Sequence, residues 1–300
     1  MPEIRPAAGN ETIEALQCLF QYAPPDEALT RVRKTAGLLH MSGPEQPSLL
    51  VAVQTGAICG AILLQALVGR TGLLWPPQVR DSATDGERIA DQLTAVGISM
   101  LRDRGAKVIQ SVMVPEEERL AAPFVRGGFS QPTRLMYLRH DLELGPDQLC
   151  APEQLTFVDY RHASREVFHR ILMRSYEQTL DFPELNGRRS IDDILAGLQA
   201  SGYDPQRWFL AANWRGAIGV LILSEVEADA WEISYVGVAP EARRKGWGRE
   251  LVRKGLFEAK AAGAHELILS VDERNIPALQ LYRAAGFQEY DRRAVYLLLE

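Results

Sequence analysis

Apolar and polar positions recur along this chain in two periods, and the order of those periods repeats. In the second half, "WFLAANWRGAIGVLILSEV" reads as a strand, a glycine turn and a strand, which predicts a hairpin. "AWEISYVGV" (Ala230–Val238) alternates as a strand. Leu251, Val252, Leu256, Phe257 and Ala259 then recur at helical spacing, predicting an amphipathic helix to about Ala262. "ELILSV" predicts a strand, "IPALQLYRAAG" a short helix, and "RRAVYLLLE" a final strand. Upstream of the hairpin, Leu155–Arg161 reads as a strand and Ser164–Leu180 as a helical region. Asp181–Arg189 is a loop, with Pro183 and Gly187 as breakers. Ser190 opens the next helix as N-cap, with Asp193 three residues on in place of the usual Glu of a capping box.

The first half follows the same order. "LLVAVQTGAICGAILLQAL" matches the hairpin, "RGAKVIQSVM" matches "AGAHELILSV", and "FVRGGF" matches "YRAAGF". Gly105 and Gly263 stand 158 positions apart, as do Gly128 and Gly286. Each half closes on a further strand, "TRLMYLRHDLEL" or "RRAVYLLLE". The pattern predicts two copies of one mixed α/β unit. Their seam lies in "LGPDQLCAPEQ" (Leu144–Gln154), rich in Pro and Gly. The expected division is 1–145, a linker at 146–153, and 154–300.

Composition adds exclusions. A chain of 300 residues suits two domains. A net charge of -6 argues against a general nucleic-acid surface, although a local basic patch stays open. Cys18, Cys59 and Cys150 are far apart and form no CxxC pair, so they are expected to be reduced and structural. The N-terminus lacks a basic segment before an apolar run, and the apolar runs are too short to span a bilayer. The expectation is therefore a cytoplasmic protein with no membrane partner. His162 and His169 have no matching Cys or carboxylate cluster, and no metal is expected.

The segment "VAPEARRKGWGRELV" (Val238–Val252) stands out. Arg243, Arg244 and Lys245 precede Gly246, Trp247 and Gly248 where a helix begins, the end at which the helix dipole disfavours cations. Glycines let backbone N–H groups approach a ligand, and the first N–H groups of a helix lack internal partners. An anion seated there would reconcile the cations with the dipole. The bland alternative is a solvated basic turn around a tight bend. Here the segment follows a strand and opens a helix, and a parallel strand is expected after that helix.

These residues resemble the acetyl-coenzyme A signature of the GNAT superfamily of N-acetyltransferases: Arg or Gln, two residues, Gly, one residue, Gly or Ala. Arg243, Gly246 and Gly248 fill its three defined positions. "VGVAP" and "NIPALQLYRAAGF" are similar to the flanking family pattern, so the likeness covers the whole second half. It implies an α/β (α+β) fold of two tandem GNAT-like domains, each a mixed, mostly antiparallel sheet with helices on both faces. It also implies acetyl-CoA as co-substrate. The pyrophosphate would lie on the N–H groups from Arg244 through Lys245, Gly246 and Trp247 to Gly248. The pantetheine arm would lie along Val236, Gly237 and Val238. Asn275 would touch the cofactor, or be only a helix N-cap; both readings stay open.

The reaction the resemblance implies is transfer of acetyl to a primary amine by direct attack. Tyr282 would be the acid that protonates the leaving thiolate. Glu232 would be the base, with a solvated strand residue as the competing reading; Asp272 is a weaker candidate. A main-chain N–H near Val236–Val238 would polarise the acyl carbonyl. The acceptor, a small-molecule or peptide amine, would enter beside the first two helices. Glu177, Asp181, Glu184, Asp192 and Asp193 there could attract a cation or form a solvated acidic face. In the first copy Asp85, Arg88 and Ala90 replace Arg243, Gly246 and Gly248, and Phe124 replaces Tyr282. Asp81 and Asp85 would repel a phosphate, and Thr84 or Asp85 reads as an N-cap with Glu87. The expectation is a degenerate first domain, one coenzyme A per chain, and a monomer or homodimer. The other class of function is a noncatalytic acyl-coenzyme A-binding regulator.

Overall fold

The computed structural model describes residues 2–40, 43, 45–143, 154–227 and 229–300. In chain order the elements are β1 (Glu3–Pro6), α1 (Thr12–Leu19), α2 (Pro25–Leu39), β2 (Ser48–Gln54), β3 (Ala57–Leu67), β4 (Thr71–Leu74), β5 (Gln78–Val79), α3 (Gly86–Asp103), β6 (Val108–Met113), α4 (Ala122–Arg126) and β7 (Ser130–Asp141). There follow β8 (Thr156–Asp159), α5 (Arg165–Tyr176), α6 (Ile191–Ala200), β9 (Trp208–Asn213), β10 (Gly216–Glu227), β11 (Ala230–Val238), α7 (Trp247–Ala261), β12 (Glu266–Asp272), α8 (Ile276–Ala284) and β13 (Gln288–Leu299).

These elements form two compact units that do not follow the halves of the sequence. One runs to Pro132 and adds Arg293–Glu300; the other is Thr133–Arg292. The division at 145 and 154 marks the sequence repeat, whereas the units exchange the last strand of each repeat. The proposed linker at 146–153 lies outside the described residues. In the first unit β6 pairs antiparallel with β13, from Met113 opposite Ala294 to Val108 opposite Leu299. In the second unit β12 pairs antiparallel with β7, from Glu266 opposite Asp141 to Asp272 opposite Leu135.

Within each unit the strands are mostly antiparallel, with one parallel neighbour pair among the described residues. In the first unit this is β4 with β6, and in the second β11 with β12. A helix joins the two strands of each parallel pair, as a parallel connection requires. In the second unit α7 and α8 cover one face of the sheet, where Leu251, Val252, Leu256 and Leu279 pack with Trp231, Ile233, Leu267 and Leu269. On the other face α5 and α6 set Phe168, Leu172, Ile194 and Leu195 against Trp208, Val220 and Ile222. The first unit has the same two-sided plan, with α3 and α4 on one face and α1 and α2 on the other. Helix entries in the second unit match their sequence signals. Ser164 caps α5 through its Oγ, and Ser190 and Asp193 complete a reciprocal box at α6 with both bonds at 3.1 Å. No helix among the described residues is long and apolar enough to cross a membrane.

Candidate active site

The site of the second unit starts from a fork. β11 and β12 are in register only from Ala230 opposite Glu266 to Glu232 opposite Ile268. Beyond that pair β11 stays with β10 as far as Val238, and β12 stays with β7 as far as Asp272. The register with β10 shifts between Ile222 opposite Tyr235 and Leu223 opposite Ile233, which leaves Ser234 as an extra residue in β11. Such a bulge bends the strand and re-aims the residues after it. The Ala239 N–H donates to the Ile218 carbonyl at 2.9 Å. Main-chain groups alternate sides along a strand, so Gly237 also bonds toward β10. Val236 and Val238 therefore direct their N–H groups into the open fork.

Gly237 lets α5 approach. A Cβ there would lie 2.6 Å from Ser175 Oγ and 2.8 Å from the Tyr235 hydroxyl. Those two oxygens are themselves hydrogen-bonded at 2.8 Å.

The turn after β11 is built for an anion. Arg244 (φ 60°) and Gly246 (φ 85°) are both left-handed, and Gly246 is the N-cap of α7. Arg249 donates its N–H to the Gly246 carbonyl at 3.0 Å. Among the described residues, the N–H groups of Arg244, Lys245, Gly246, Trp247 and Gly248 have no protein acceptor. Of these residues, Arg244, Gly246, Trp247 and Gly248 line a groove of about 720 Å³. Val236, Gly237, Val238 and Asn275 line it, as do Arg243, Arg244, Gly246, Trp247 and Gly248. The Trp247 indole N–H is buried there without a hydrogen-bond partner. Unsatisfied donors at a helix N-terminus beside a groove fit a ligand with an anionic end, as coenzyme A has.

The three cations of the turn do not share one task. Arg243 spends its guanidinium on main-chain carbonyls. Nε donates to Val238 (3.0 Å), Nη1 to Gln178 (3.0 Å), and Nη2 to Ser175 (3.0 Å) and Glu177 (2.7 Å). Three of these acceptors lie at or just past the C-terminal end of α5, where a cation is favoured. So Arg243, awkward at the start of α7, is well placed at the end of α5. Lys245 Nζ donates to the Glu241 carbonyl at 2.8 Å and does not line the groove. Arg244 lines the groove, and its side chain has no protein partner among the described residues. The same holds for Arg249, in the first turn of α7, which the sequence reading missed. It carries the same signal as Arg243–Lys245, a cation set against the helix dipole.

Asn275 caps α8: its Oδ1 accepts the Ala278 N–H at 3.3 Å while the residue lines the groove, so the two readings of it are compatible. Tyr282 lies on α8 one position beyond the groove-lining Leu281 and is 7% exposed. Its hydroxyl has no protein hydrogen bond among the described residues. Burial, aided by the charge of Asp181, raises its pKa well above that of an ordinary phenol. Glu232 stands where the fork opens. It is half-buried and has no hydrogen-bond or ion-pair partner among the described residues, and burial raises its carboxyl above the usual range.

Asp272, the weaker candidate base, is fully buried. Burial alone would raise its pKa, but bonds from Arg274, Thr133 and the Phe182 N–H hold it low. The acidic face near α5 and α6 is largely spent within the protein. Glu184 forms a two-pronged pair with Arg274 (2.7 and 2.9 Å), and Asp193 closes its capping box. Asp181 Oδ1 accepts the Asp272 N–H at 2.8 Å. Desolvation of its carboxyl, with the Asp272 charge adding to it, pushes Asp181 up to about 6. His162 bonds Asp159 and His169 bonds Tyr160.

The first unit differs at each corresponding point. α3 and α7 end 158 positions apart, yet α3 has 18 residues and α7 has 15. The extra residues are at the start, so helix occupies the positions that form the open turn in the second unit. The expected Thr84 or Asp85 side-chain cap is absent. Asp85 is the N-cap residue but is left-handed (φ 63°) and makes no side-chain cap bond, since that bond needs an extended N-cap backbone. Phe124 is fully buried against Phe129 (4.9 Å between ring centres). Glu117, 158 positions before Asn275, bonds Tyr22 and pairs with Arg31 at 2.6 Å.

Residues 166–287 match the family model described as the acetyltransferase (GNAT) family. A mycothiol acetyltransferase of Thermobispora bispora is 27% identical over 307 residues, which cover 98% of each chain. A GCN5-related N-acetyltransferase from Sphaerobacter thermophilus aligns over 99% of this chain and 95% of its own, at TM-score 0.62 and 19% identity. A tandem GNAT protein from the clavulanic acid biosynthesis pathway aligns over 100% of this chain and 98% of its own, at TM-score 0.55 and 17% identity. The tandem fold, the signature turn and a full-length relative thus agree with the acetyltransferase (GNAT) family model that residues 166–287 match.

Proposed function

We propose that the chain is an N-acetyltransferase that moves acetyl from acetyl-CoA to a primary amine by direct attack in a ternary complex, with its active site in the C-terminal half. The observation that carries this is the fork itself. It brings free main-chain donors and an anion cradle to one end of two strands, with the buried phenol of Tyr282 one position beyond the groove-lining Leu281.

When bound, acetyl-CoA supplies an acyl group already activated as a thioester. The N–H groups from Arg244 to Gly248, with Arg244 and Arg249, hold its diphosphate. Val236 and Val238 offer main-chain groups along the fork, as an added strand would use them. One of their N–H groups serves the acyl oxygen as charge develops on it. Tyr282 remains protonated across the physiological range and gives its proton to the departing sulfur. Glu232 takes the proton from the attacking amine, a role aided by its raised pKa. The two described cysteines, Cys18 and Cys59, are buried in the first unit, which favours direct attack over a thiol relay. Their unpaired thiols also suit a reducing cytoplasm.

The first half holds no coenzyme A of its own, because helix replaces the open turn and Phe124 replaces the phenol. A panel of primary amines with acetyl-CoA, read as free thiol release and as acetylated product by mass spectrometry, tests the reading. The name of the full-length relative makes the des-acetyl form of mycothiol the first member of that panel. Thiol release coupled one-to-one to an acetylated amine is expected. Thiol release without acetylated amine across the panel would overturn it.

A further inference from the structure

We infer that Arg243 and Asp272 are positioning residues for the acceptor, holding the two ends of a strap, Gln178–Phe182, to the two strands of the fork. The inference rests on the acyl-transfer site proposed above. The strap joins the end of α5 to the turn before α6. Its first and last residues, Gln178 (φ 52°) and Phe182 (φ 47°), are both left-handed without being glycine. Such backbone persists only where the surroundings enforce it, and each end has its own anchor.

At the β11 end the anchor is Arg243. One guanidinium ties the Val238 carbonyl to those of Ser175, Glu177 and Gln178. At the β12 end the anchor is Asp272. Its Oδ2 accepts the Phe182 N–H at 3.1 Å, and its own N–H donates to Asp181 Oδ1 at 2.8 Å. Asp272 is in turn fixed by Thr133 and by Arg274, which also grips Glu184 just past the strap. The strap therefore reaches from the end of one diverging strand to the end of the other.

Its residues divide between two spaces. Gln178, Thr179 and Leu180 line the cofactor groove. Asp181 and Phe182 line a neighbouring cavity of about 60 Å³, with Tyr176 and Met173 in its wall. An amine approaching the acyl group from that cavity passes along the strap, so the placement of the strap sets its distance and angle of attack. A misplacement of about 1 Å from a remote change can cost a hundredfold in rate. The signature arginine thus acts on the acceptor through the backbone of the strap, while Arg244, Arg249 and the turn's N–H groups act on the cofactor.

Amide hydrogen exchange on the full chain, with calorimetric titration of coenzyme A and steady-state kinetics, separates these roles. Arg243→Gln and Asp272→Asn should each speed exchange at Thr179–Phe182. Each should lower kcat with the acceptor about tenfold or more and leave the coenzyme A Kd within about threefold. The double variant should do little more than either single one, because both anchors serve one strap. Arg244→Ala should do the reverse, raising the coenzyme A Kd with the strap's exchange unchanged. The inference is overturned if Arg243→Gln weakens coenzyme A tenfold while strap exchange stays at the wild-type level. It is also overturned if faster exchange spreads evenly through the unit. Exchange needs no acceptor, so its outcome is separate from whether the amine panel yields product.

Discussion

Gly237→Ala puts the tightest contact of the site under strain. The added Cβ would sit 2.6 Å from Ser175 Oγ and 2.7 Å from Ser175 Cβ. Ordinary contact begins near 3.4 Å, so a gap of about 0.7 Å must open, typical of overpacking that costs about 1–3 kcal/mol. A rotamer change cannot relieve it, because Ser175 Cβ is fixed to its helix. α5 must therefore shift as a body and lengthen the Ser175–Tyr235 hydrogen bond. Thermal and urea unfolding should show a loss in that range, or about 2–9 °C in Tm for a unit of this size. Ser175→Gly in the same chain removes both colliding atoms and should recover most of the loss, leaving only the Tyr235 contact. The reasoning fails if Gly237→Ala unfolds at the wild-type midpoint, or if Ser175→Gly makes it worse by the full cost of a second independent change.

Three further outcomes follow from the same geometry. Calorimetric titration should find one coenzyme A per chain, and Arg244→Ala with Arg249→Ala should weaken it about tenfold or more and flatten its salt dependence; two equivalent sites would contradict the degenerate first unit. Glu232 must be ionised to accept a proton, and burial raises its pKa, so kcat/KM should fall with decreasing pH at a point above the ordinary glutamate range, and Glu232→Gln should abolish that limb. Asp181 has its folded pKa raised to about 6 from 3.8, so ionising it works against the fold, and stability should rise as pH falls from 7.5 to 5.5; Asp181→Asn should remove that slope in a differential thermal-unfolding series.

The sequence carried the repeat, the order of elements and the anion turn, because hydrophobic period and glycine placement are local signals. The strand exchange was invisible for a physical reason. "TRLMYLRHDLEL" and "RRAVYLLLE" have the same alternation, so nothing local decides which parallel pair each completes. Arg243 was legible as a cation at a helix start. Its partners, the carbonyls at the end of α5, lie 65 to 68 positions away, and a spacing cannot show them. The acids near α5 and α6 looked like a solvated face for the same reason, since Arg274 and the Asp272 N–H reach Glu184 and Asp181 only in three dimensions. The missing cap at Asp85 had the opposite origin, a sequence box complete in residue types but set on a left-handed backbone.

The central claim is that the second unit transfers acetyl to an amine with Tyr282 as the proton donor. Its most direct test is Tyr282→Phe, titrated with coenzyme A and then assayed for thiol release at saturating acetyl-CoA with the best amine of the panel. Coenzyme A affinity within about threefold of wild type, with kcat lower by about 10²-fold or more, is the predicted result. Turnover equal to wild type across the pH range would contradict it.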